Sequence, residues 1–410
     1  MVGKRRKLDN AALAFPAAAG RKDSRVFRLS CFLREEVDRE VLQRAAERSV
    51  KKFPLFQSVL KEGAFWFYFE ESGICQKVEN EGYPCLGLYE KGKQNLLYQV
   101  SCGKNTIHLE VFHALSDGTG AFQFLVSIVE GYLEEIHGLN PSAEKNPCRE
   151  EQEEDSFSRF YSSGKEPVKA RKSRRAYQMT GKCLDQAHMS IQEYTIPTDL
   201  ILKVSRSYQV SVTVYLASVL MKAIDSSYRG NRGKCPVTLM IPINLRNYYP
   251  SKTMTNFWSW MEIEYAFNDH TEFREILEHV KERFSMDLQK DQVALRMNKY
   301  IRLEKNRFLQ YVPLGIKNFF LKLGAWLGGG SVTAVFSNVG EIHLPEQYLP
   351  YIERFGAIAS TDKIQMCSCS FGDRFYFSIT SKFEDDAVQR NLLKILQDEG
   401  ICVEKLERYF

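Results

Sequence analysis

The sequence predicts an α/β protein built from two halves, and three observations support this prediction. The first is its length of 410 residues, which suggests two or three structural units. The second is a composition of 44% apolar and 26% charged residues, typical of a globular protein with ample material for a core. The third is an alternation of strand-like and helix-like segments on both sides of a charged stretch at residues 161–185.

The first half, residues 1–160, carries the clearer patterns. Residues 26–33 alternate as a strand does, and apolar side chains at helical spacing predict a helix over 37–53, just before Pro54. A long helix is predicted over 121–137, followed by Gly138, a residue type favoured just past a helix end. The remaining predicted strands of this half are 65–69, 96–100 and 106–112.

The second half, residues 186–410, repeats this alternation. Helices are predicted over 199–208, 213–228 and 385–399, and Thr271 is expected to cap another long helix. The apolar stretch 319–336 contains Lys322 and a run of three glycines, so we expect a strand after a loop rather than a membrane span. The predicted strands are 191–196, 237–243, 258–267, 332–336, 365–371 and 374–381.

Residues 161–185 are predicted to be a crossover linker between the halves. An acidic block over 144–155 precedes a basic block over 165–175, and charge runs of this kind are usually solvated. Contact of the basic block with a phosphate group is the alternative interpretation. The net charge of +5 is small for this length and does not indicate nucleic-acid binding.

The ten cysteines follow no disulfide or zinc spacing. Cys367 and Cys369 are two residues apart, which places both on one face of a predicted strand. Scattered free thiols fit the reducing cytoplasm, so a cytoplasmic location is expected. The basic residues 4–7 and the alanine-rich stretch 11–19 faintly resemble a secretory signal, but Pro16 interrupts the short apolar segment and we expect no signal peptide.

His113 is the candidate for catalysis. It follows the predicted strand 106–112 and enters a loop that contains Asp117 and Gly118 before the long helix. Loops on a rigid scaffold often carry reactive groups, and a histidine can exchange protons near neutral pH. Asp117 could fix the loop by pairing with a cation, and glycine permits backbone geometry that other residues resist. A structural histidine beside an ordinary Asp-Gly turn is the alternative, and the residues alone leave it open.

The segment 113–118, His-Ala-Leu-Ser-Asp-Gly, resembles the His-x-x-x-Asp-Gly motif of the CoA-dependent acyltransferase superfamily. That superfamily includes chloramphenicol acetyltransferase, plant acyltransferases, peptide-synthetase condensation domains and alcohol acetyltransferases. Residues 242–246, Pro-Ile-Asn-Leu-Arg, followed by Asn256, resemble the superfamily's Arg-bearing turn. Residues 336–340, Phe-Ser-Asn-Val-Gly, resemble a strand end of the alcohol-acetyltransferase branch. The three segments occur in the same order as in the superfamily.

This resemblance implies two similar α/β lobes with mixed sheets and an active-site tunnel between them, at 1–160 and 186–410. It implies that His113 is the general base for transfer of an acyl group to the hydroxyl of a small-molecule acceptor, with an amine as the alternative acceptor. It also implies that Asp117, Gly118 and Arg246 support the site, with Asp117 pairing with Arg246 to hold the loop. Acyl-CoA, such as acetyl-CoA, would be a co-substrate, with no bound cofactor, no metal and no covalent acyl-enzyme.

The resemblance also implies roles for three further residues. Ser337 or Asn338 could donate a hydrogen bond to the tetrahedral oxyanion, although a purely structural role for both is the alternative. Asn256 is a candidate substrate contact. The implied partners are acyl-CoA and a small-molecule alcohol or amine, with no nucleic acid and no transmembrane segment. The acceptor, the acyl chain length and the oligomeric state stay open.

The sequence also departs from parts of the superfamily. Condensation domains usually carry a second histidine just before the catalytic one, and here that position is Phe112. The Asp-Phe-Gly-Trp-Gly segment of the plant branch is absent, which leaves the alcohol-acetyltransferase-like group as the expected branch. Transfer to an amine or from a carrier-protein thioester is the alternative enzymatic function. A catalytically silent binding or scaffold module is the alternative of another class.

Overall fold

The computed structural model describes residues 4–141, 147–162, 174–185, 188–227, 235–304 and 311–406. Within these residues strands and helices alternate along the chain and form mixed sheets covered by helices, which confirms the predicted α/β class. The strands are β1 (Arg5–Lys7), β2 (Val26–Leu33), β3 (Ser58–Glu62), β4 (Phe67–Glu71), β5 (Glu79–Asn80), β6 (Tyr98–Cys102), β7 (Thr106–Phe112), β8 (Ser190–Pro197), β9 (Val237–Asn244), β10 (Trp258–Tyr265), β11 (Ala334–Glu341), β12 (Ile352–Ala359), β13 (Ile364–Phe371), β14 (Arg374–Ser381) and β15 (Glu404–Leu406). The helices are α1 (Phe15–Ala18), α2 (Arg39–Lys52), α3 (Gly118–His137), α4 (Arg149–Gln152), α5 (Ser156–Phe160), α6 (Thr198–Ser207), α7 (Val212–Ser226), α8 (Phe273–Asp287), α9 (Lys290–Glu304), α10 (Leu314–Gly329) and α11 (Ala387–Asp398).

The first sheet has the strand order β12-β2-β7-β6-β5 across the described residues. Every residue of β2 and of β7 is buried, because helices α2 and α3 pack together over this sheet and further strands lie against it. A strand that is buried on both faces has a nearly continuous apolar sequence, which makes it easy to recognise. The bounds predicted for β2 and β7 agree with the structure. Strand β7 carries the chain directly to His113.

The second sheet has the strand order β10-β9-β11-β13-β14-β8-β15, again counting the described residues. Its core is formed by apolar side chains of these strands with helices α6, α7, α8 and α11. A third, small sheet pairs β1 with β4 and β4 with β3. Through its pairing with β4, strand β1 attaches the N-terminal segment of the described chain to the first half of the molecule.

Strand β12 was missed by the sequence analysis. It belongs to the second half of the chain but pairs antiparallel with β2, in the sheet of the first half. Arg354 and Gly356 interrupt its apolar pattern, which hid the strand. The division into lobes at 1–160 and 186–410 stays a prediction, and of the predicted linker, residues 163–173 lie outside the described residues.

Two local predictions were wrong, and one helix was missed. Residues 319–329 belong to helix α10 rather than to a loop, and the strand that follows is β11. Glu272, and not Thr271, is the N-cap residue of α8, while the Thr271 hydroxyl accepts a hydrogen bond from the backbone of Asn268 (3.0 Å). Helix α9 was not predicted at all. Among the helices of the described chain, none is both long and apolar enough to cross a membrane.

Candidate active site

His113 begins the short loop between β7 and α3. Its backbone N–H donates to the carbonyl of Arg25 (2.9 Å), just before β2, so the first sheet fixes the start of the loop. Asp117 is the N-cap of α3 and accepts a hydrogen bond from the backbone N–H of Gly120 (2.9 Å). Aspartate is a favoured N-cap residue because its carboxylate satisfies a free N–H group of the first helical turn. The loop is therefore held at both ends.

Asp117 also forms an ion pair with Arg246, as the resemblance implied. Arg246 Nη1 lies 2.7 Å from Oδ2 and Nη2 lies 3.2 Å from Oδ1, and the backbone N–H of Phe257 donates to Oδ2 (2.8 Å). The Arg246 guanidinium donates further to the carbonyls of Thr253 and Thr255. Both side chains are nearly fully buried. This buried pair joins the His113 loop to the second half of the chain.

The imidazole of His113 contacts Asn256, which the sequence analysis named only as a substrate contact. His113 Nδ1 lies 3.2 Å from Asn256 Oδ1, and the indole Nε1 of Trp258 lies 3.2 Å from the same oxygen. An indole nitrogen can only donate, so the atom that it contacts must be the amide oxygen. That oxygen accepts, and Nδ1 must therefore carry the proton. Nε2 is then the nitrogen whose lone pair is available to take up a proton.

Aromatic side chains surround the His113 ring. Phe15 stacks on it with ring centroids 4.6 Å apart and an angle of 13° between the ring planes. Phe27 makes an edge contact at 5.0 Å, and Trp258 lies at 5.8 Å. Burial among these rings lowers the pKa of His113 from its ordinary value, against the opposing effects of its own carbonyl, Asp117 and Asn256. The imidazole is therefore neutral at pH 7, as a general base must be.

Asp9 supports Asn256 from the opposite side, and the sequence analysis missed it. Its Oδ2 accepts from the side-chain Nδ2 and the backbone N–H of Asn256, both at 3.2 Å, and its Oδ1 accepts from the backbone of Ala12 (2.8 Å). Burial raises the pKa of Asp9 to about 7. No pattern near residue 9 signals this contact, because the two residues lie 247 positions apart in the chain.

Gly118 and Gly120 lie in the first turn of α3, and the surroundings of their backbones differ. A Cβ atom at Gly118 would meet no other atom within 4 Å, and its backbone is not in the left-handed region, so no special geometry requires glycine there. At Gly120, in contrast, a Cβ would collide with the carbonyl of Met254 and the hydroxyl of Ser116. Gly120 is the position where the close approach of two backbone segments requires glycine.

Ser337 and Asn338 lie on β11, and Asn338 is held by other groups. Its Nδ2 donates to the hydroxyl of Thr213 (2.9 Å), and its Oδ1 accepts from the hydroxyl of Ser368 (3.2 Å) and the backbone of Gly340 (3.0 Å). The structure thus brings together His113, Asp117, Arg246 and Asn256, but it gives neither Ser337 nor Asn338 a hydrogen bond to that group. Their role toward an oxyanion stays a prediction.

The structure also contains a cavity of about 690 Å³. Pro16 and Ala17 line this cavity and directly follow Phe15, the residue whose ring stacks on His113. None of His113, Asp117, Arg246 and Asn256 lines the cavity itself. Its charged lining combines four cationic and three acidic side chains: Arg21, Lys22, Lys91, Lys322, Asp23, Glu62 and Glu90. Within the described part of the chain, no group of three or more His, Cys, Asp or Glu side chains is placed to hold a metal ion.

Solved structures match the chain over nearly its whole length. TRI101 from F. graminearum, solved with coenzyme A and deoxynivalenol, has a TM-score of 0.67 at 11% identity and covers 98% of this chain and 99% of that one. Polyketide synthase associated protein 5 from Mycobacterium tuberculosis has a TM-score of 0.65 at 11% identity, with 96% and 97% covered. The first condensation domain of the calcium-dependent antibiotic synthetase has a TM-score of 0.62 at 11% identity, with 97% of each chain covered.

No protein-family model and no curated protein sequence matches the chain. At identities of 10–12% the likeness to solved structures shows the fold. The fold expected from the resemblance to the CoA-dependent acyltransferase superfamily is therefore confirmed, over the full length of the chain.

Proposed function

We propose that this protein transfers an acyl group from a CoA thioester to the hydroxyl of a small-molecule acceptor, with His113 as general base. One observation carries the proposal: a neutral imidazole whose Nδ1 proton is engaged by Asn256, which leaves Nε2 as the proton acceptor. A base of this kind typically contributes about 10²–10⁴-fold to the rate. The fold shared with TRI101, which was solved with coenzyme A, supports a CoA thioester as the donor.

The reaction needs a single base. Nε2 of His113 takes the proton from the acceptor hydroxyl as its oxygen attacks the thioester carbonyl. The tetrahedral intermediate collapses with cleavage of the carbon–sulfur bond, and the proton passes from His113 to the departing CoA thiolate. The products are an ester and free CoA, and the imidazole returns to its neutral form. Asp117 takes no part in the proton transfer, because Arg246 and two backbone N–H groups engage its carboxylate.

The cavity lined by Pro16 and Ala17 offers both charged and apolar surface to a substrate. Arg21, Lys22, Lys91 and Lys322 can meet phosphate groups, although Asp23, Glu62 and Glu90 also line the cavity, while Pro16 and Phe67 offer apolar surface. All ten cysteines are free, which fits the reducing cytoplasm that we propose as the location of the reaction.

The proposal is tested by incubating the purified protein with acyl-CoA esters of increasing chain length and a panel of alcohols and amines. Release of free thiol is the readout, and mass spectrometry identifies the acylated product. We expect thiol release that depends on an alcohol. Preference for an amine would replace O-acylation with N-acylation, and activity only with a loaded carrier protein would replace the CoA donor.

Two variants assign the reaction to His113. His113→Ala should lose at least about 100-fold in kcat while the far-UV circular dichroism stays unchanged. His343→Ala is the matched control, because His343 is exposed and its imidazole lies 3.9 Å from the exposed carboxylate of Glu341. Equal rates in His113→Ala and His343→Ala would contradict the mechanism. Absence of turnover with every CoA ester and carrier-bound substrate would favour the silent binding module.

A further inference from the structure

The contacts of Asn256 form an ordered chain from Asp9 to His113. The amide Nδ2 donates to Asp9 Oδ2 (3.2 Å) and approaches the carbonyl of Ala114 (3.4 Å). The amide oxygen faces two ring nitrogens, those of His113 and Trp258. Each end of the amide thus meets groups of the opposite kind, acceptors at the nitrogen and donors at the oxygen.

Reversal of the Asn256 amide would disturb both ends. The NH₂ group would then face the indole N–H of Trp258, which can only donate, and the amide oxygen would face the Asp9 carboxylate, which can only accept when ionised. The indole opposes this reversal at one end and the carboxylate opposes it at the other. The carboxylate is the stronger constraint, because hydrogen bonds to a charged group are roughly twice as strong as those between neutral groups.

From this geometry we propose that Asp9 is a positioning residue, which acts through Asn256 to keep His113 in the tautomer with Nε2 unprotonated. Asp9 does not contact the imidazole directly and acts through Asn256. The N-terminal segment that carries Asp9 therefore belongs to the site. The effect on rate rests on the proposed function. The tautomer itself can be measured whether or not the protein is an enzyme.

The protonation state of Asp9 decides how strongly it holds the amide. A protonated carboxyl group presents one O–H donor, so it can no longer accept from all three of its N–H partners, which belong to Ala12 and Asn256. Among the described residues, particular charged groups act on Asp9 and its surroundings. Arg6 favours the ionised form of Asp9, and Glu153 and Arg149 act on Arg6. Asp117 and Arg25 act on His113 itself.

Nitrogen-15 NMR of the histidine side chains tests the proposal directly. The shifts of the two ring nitrogens show which one carries the proton, and comparison with His113→Ala assigns the His113 signals among the seven histidines. In the unaltered protein at pH 8 we expect Nδ1 protonated and Nε2 unprotonated. In Asp9→Asn the carboxamide can satisfy its partners in either orientation, so we expect the population with Nε2 protonated to rise measurably. The carbonyl of His113, which also interacts with its own imidazole, should keep the rest in the form with Nδ1 protonated.

Glu193→Gln is the matched control. Glu193 is also a buried carboxylate, but it lies on β8 and accepts from the hydroxyl of Tyr376 in the second sheet. Its replacement should leave the His113 tautomer unchanged. An unchanged tautomer in both Asp9→Asn and Asp9→Ala would overturn the proposal. A shift of equal size in Glu193→Gln would overturn it as well, since the response would then be a general effect of losing a buried charge.

The rate provides a second readout, if the protein is an acyltransferase. A base-orienting carboxylate in a serine-protease triad contributes about 10⁴-fold, and through an intervening amide we expect Asp9→Asn to lower kcat about 10-fold to 100-fold. The low-pH limb of the pH–rate profile should lie near pH 7, where Asp9 titrates, and should move to lower pH in the variant. An unchanged profile would contradict the role of Asp9, whereas inactivity of every form would contradict only the proposed function.

Discussion

The two sides of the His113 site are held by aspartates in opposite situations. On the loop side, the Asp117 carboxylate has an arginine and two backbone N–H groups as partners, from residues 120, 246 and 257. On the N-terminal side, the Asp9 carboxylate accepts from three N–H groups, and within the described residues no cation forms an ion pair with it. Both carboxylates are buried, with 4% and 3% of their surface exposed.

This difference in partners gives the two aspartates different roles. Asp117 anchors the loop through an ion pair, whereas Asp9 titrates in the neutral range. A buried carboxylate is stable in its charged form when a cation and N–H donors compensate for lost hydration, as they do for Asp117. Asp9 has no such ion pair among the described residues, and burial raises its pKa to about 7 against the opposing effect of Arg6. The loop side is therefore held by an ion pair, whereas the N-terminal side responds to pH in the neutral range.

The largest expected effect on stability comes from breaking the ion pair between Asp117 and Arg246. Arg246→Ala leaves the Asp117 carboxylate buried without its cation, which should lower the free energy of unfolding by about 3–5 kcal/mol. Asp117→Asn should be less damaging, since the amide keeps part of the hydrogen bonding. Urea denaturation of both variants measures the loss. Unchanged midpoints in both would mean that the pair does not act as an anchor.

The next effect is a pH dependence of stability on the N-terminal side. Because the folded pKa of Asp9 is about 7 and its ordinary value is 3.8, the folded state holds this proton more tightly than the unfolded chain does. The resulting stabilisation is complete below pH 3.8 and is lost as the pH rises to about 7, a change of about 4 kcal/mol for a shift of about three pKa units.

This dependence is measured as the difference between Asp9→Asn and the unaltered protein in denaturation series from pH 4 to pH 8. The lowered pKa of His113 contributes a slope of the opposite sign, which the difference removes. The variant should gain stability relative to the unaltered protein as the pH rises. A flat difference would mean that Asp9 titrates in the same way folded and unfolded.

A smaller effect distinguishes Gly120 from Gly118, which both lie in the first turn of α3. Gly120→Ala drives a methyl group into the Met254 carbonyl and the Ser116 hydroxyl, which should cost about 1–3 kcal/mol of stability. Gly118→Ala meets open space and should leave the melting temperature nearly unchanged. Thermal denaturation of the two variants compares them directly. Equal losses would show that position in the helix, rather than the clash, sets the cost.

The smallest effect concerns the stacked ring. Phe15→Leu keeps an apolar side chain but removes the aromatic stack on His113, worth about 0.5–1.5 kcal/mol. Water gains access to the imidazole, so the pKa of His113 should rise toward its ordinary value. NMR titration of His113 measures this change, with Phe27→Leu as a comparison on the other side of the ring. A lower pKa in Phe15→Leu would contradict the assigned role of burial.

The sequence alone predicted the fold class and the elements with strong local patterns. Strands β2, β7 and β14 matched their predicted bounds, because their apolar and β-branched residues form continuous short segments between clear turns. Strand β12 and helix α9 were missed, because their patterns are mixed and only tertiary packing stabilises them. The stretch 319–329 was misread, since a glycine-containing apolar run does not distinguish a helix from a strand.

The sequence determined one part of the site, the group around one loop. His113, Asp117 and Arg246 were identified from a strand end and from the resemblance of three motifs. What only the tertiary structure decided is the other side of the imidazole, where Asp9 and Phe15 contact residues more than 90 positions away. The physical reason is that local patterns encode hydrogen bonds and packing within an element. The approach of two distant segments depends instead on how all the elements pack together, and a single sequence carries no local mark of it.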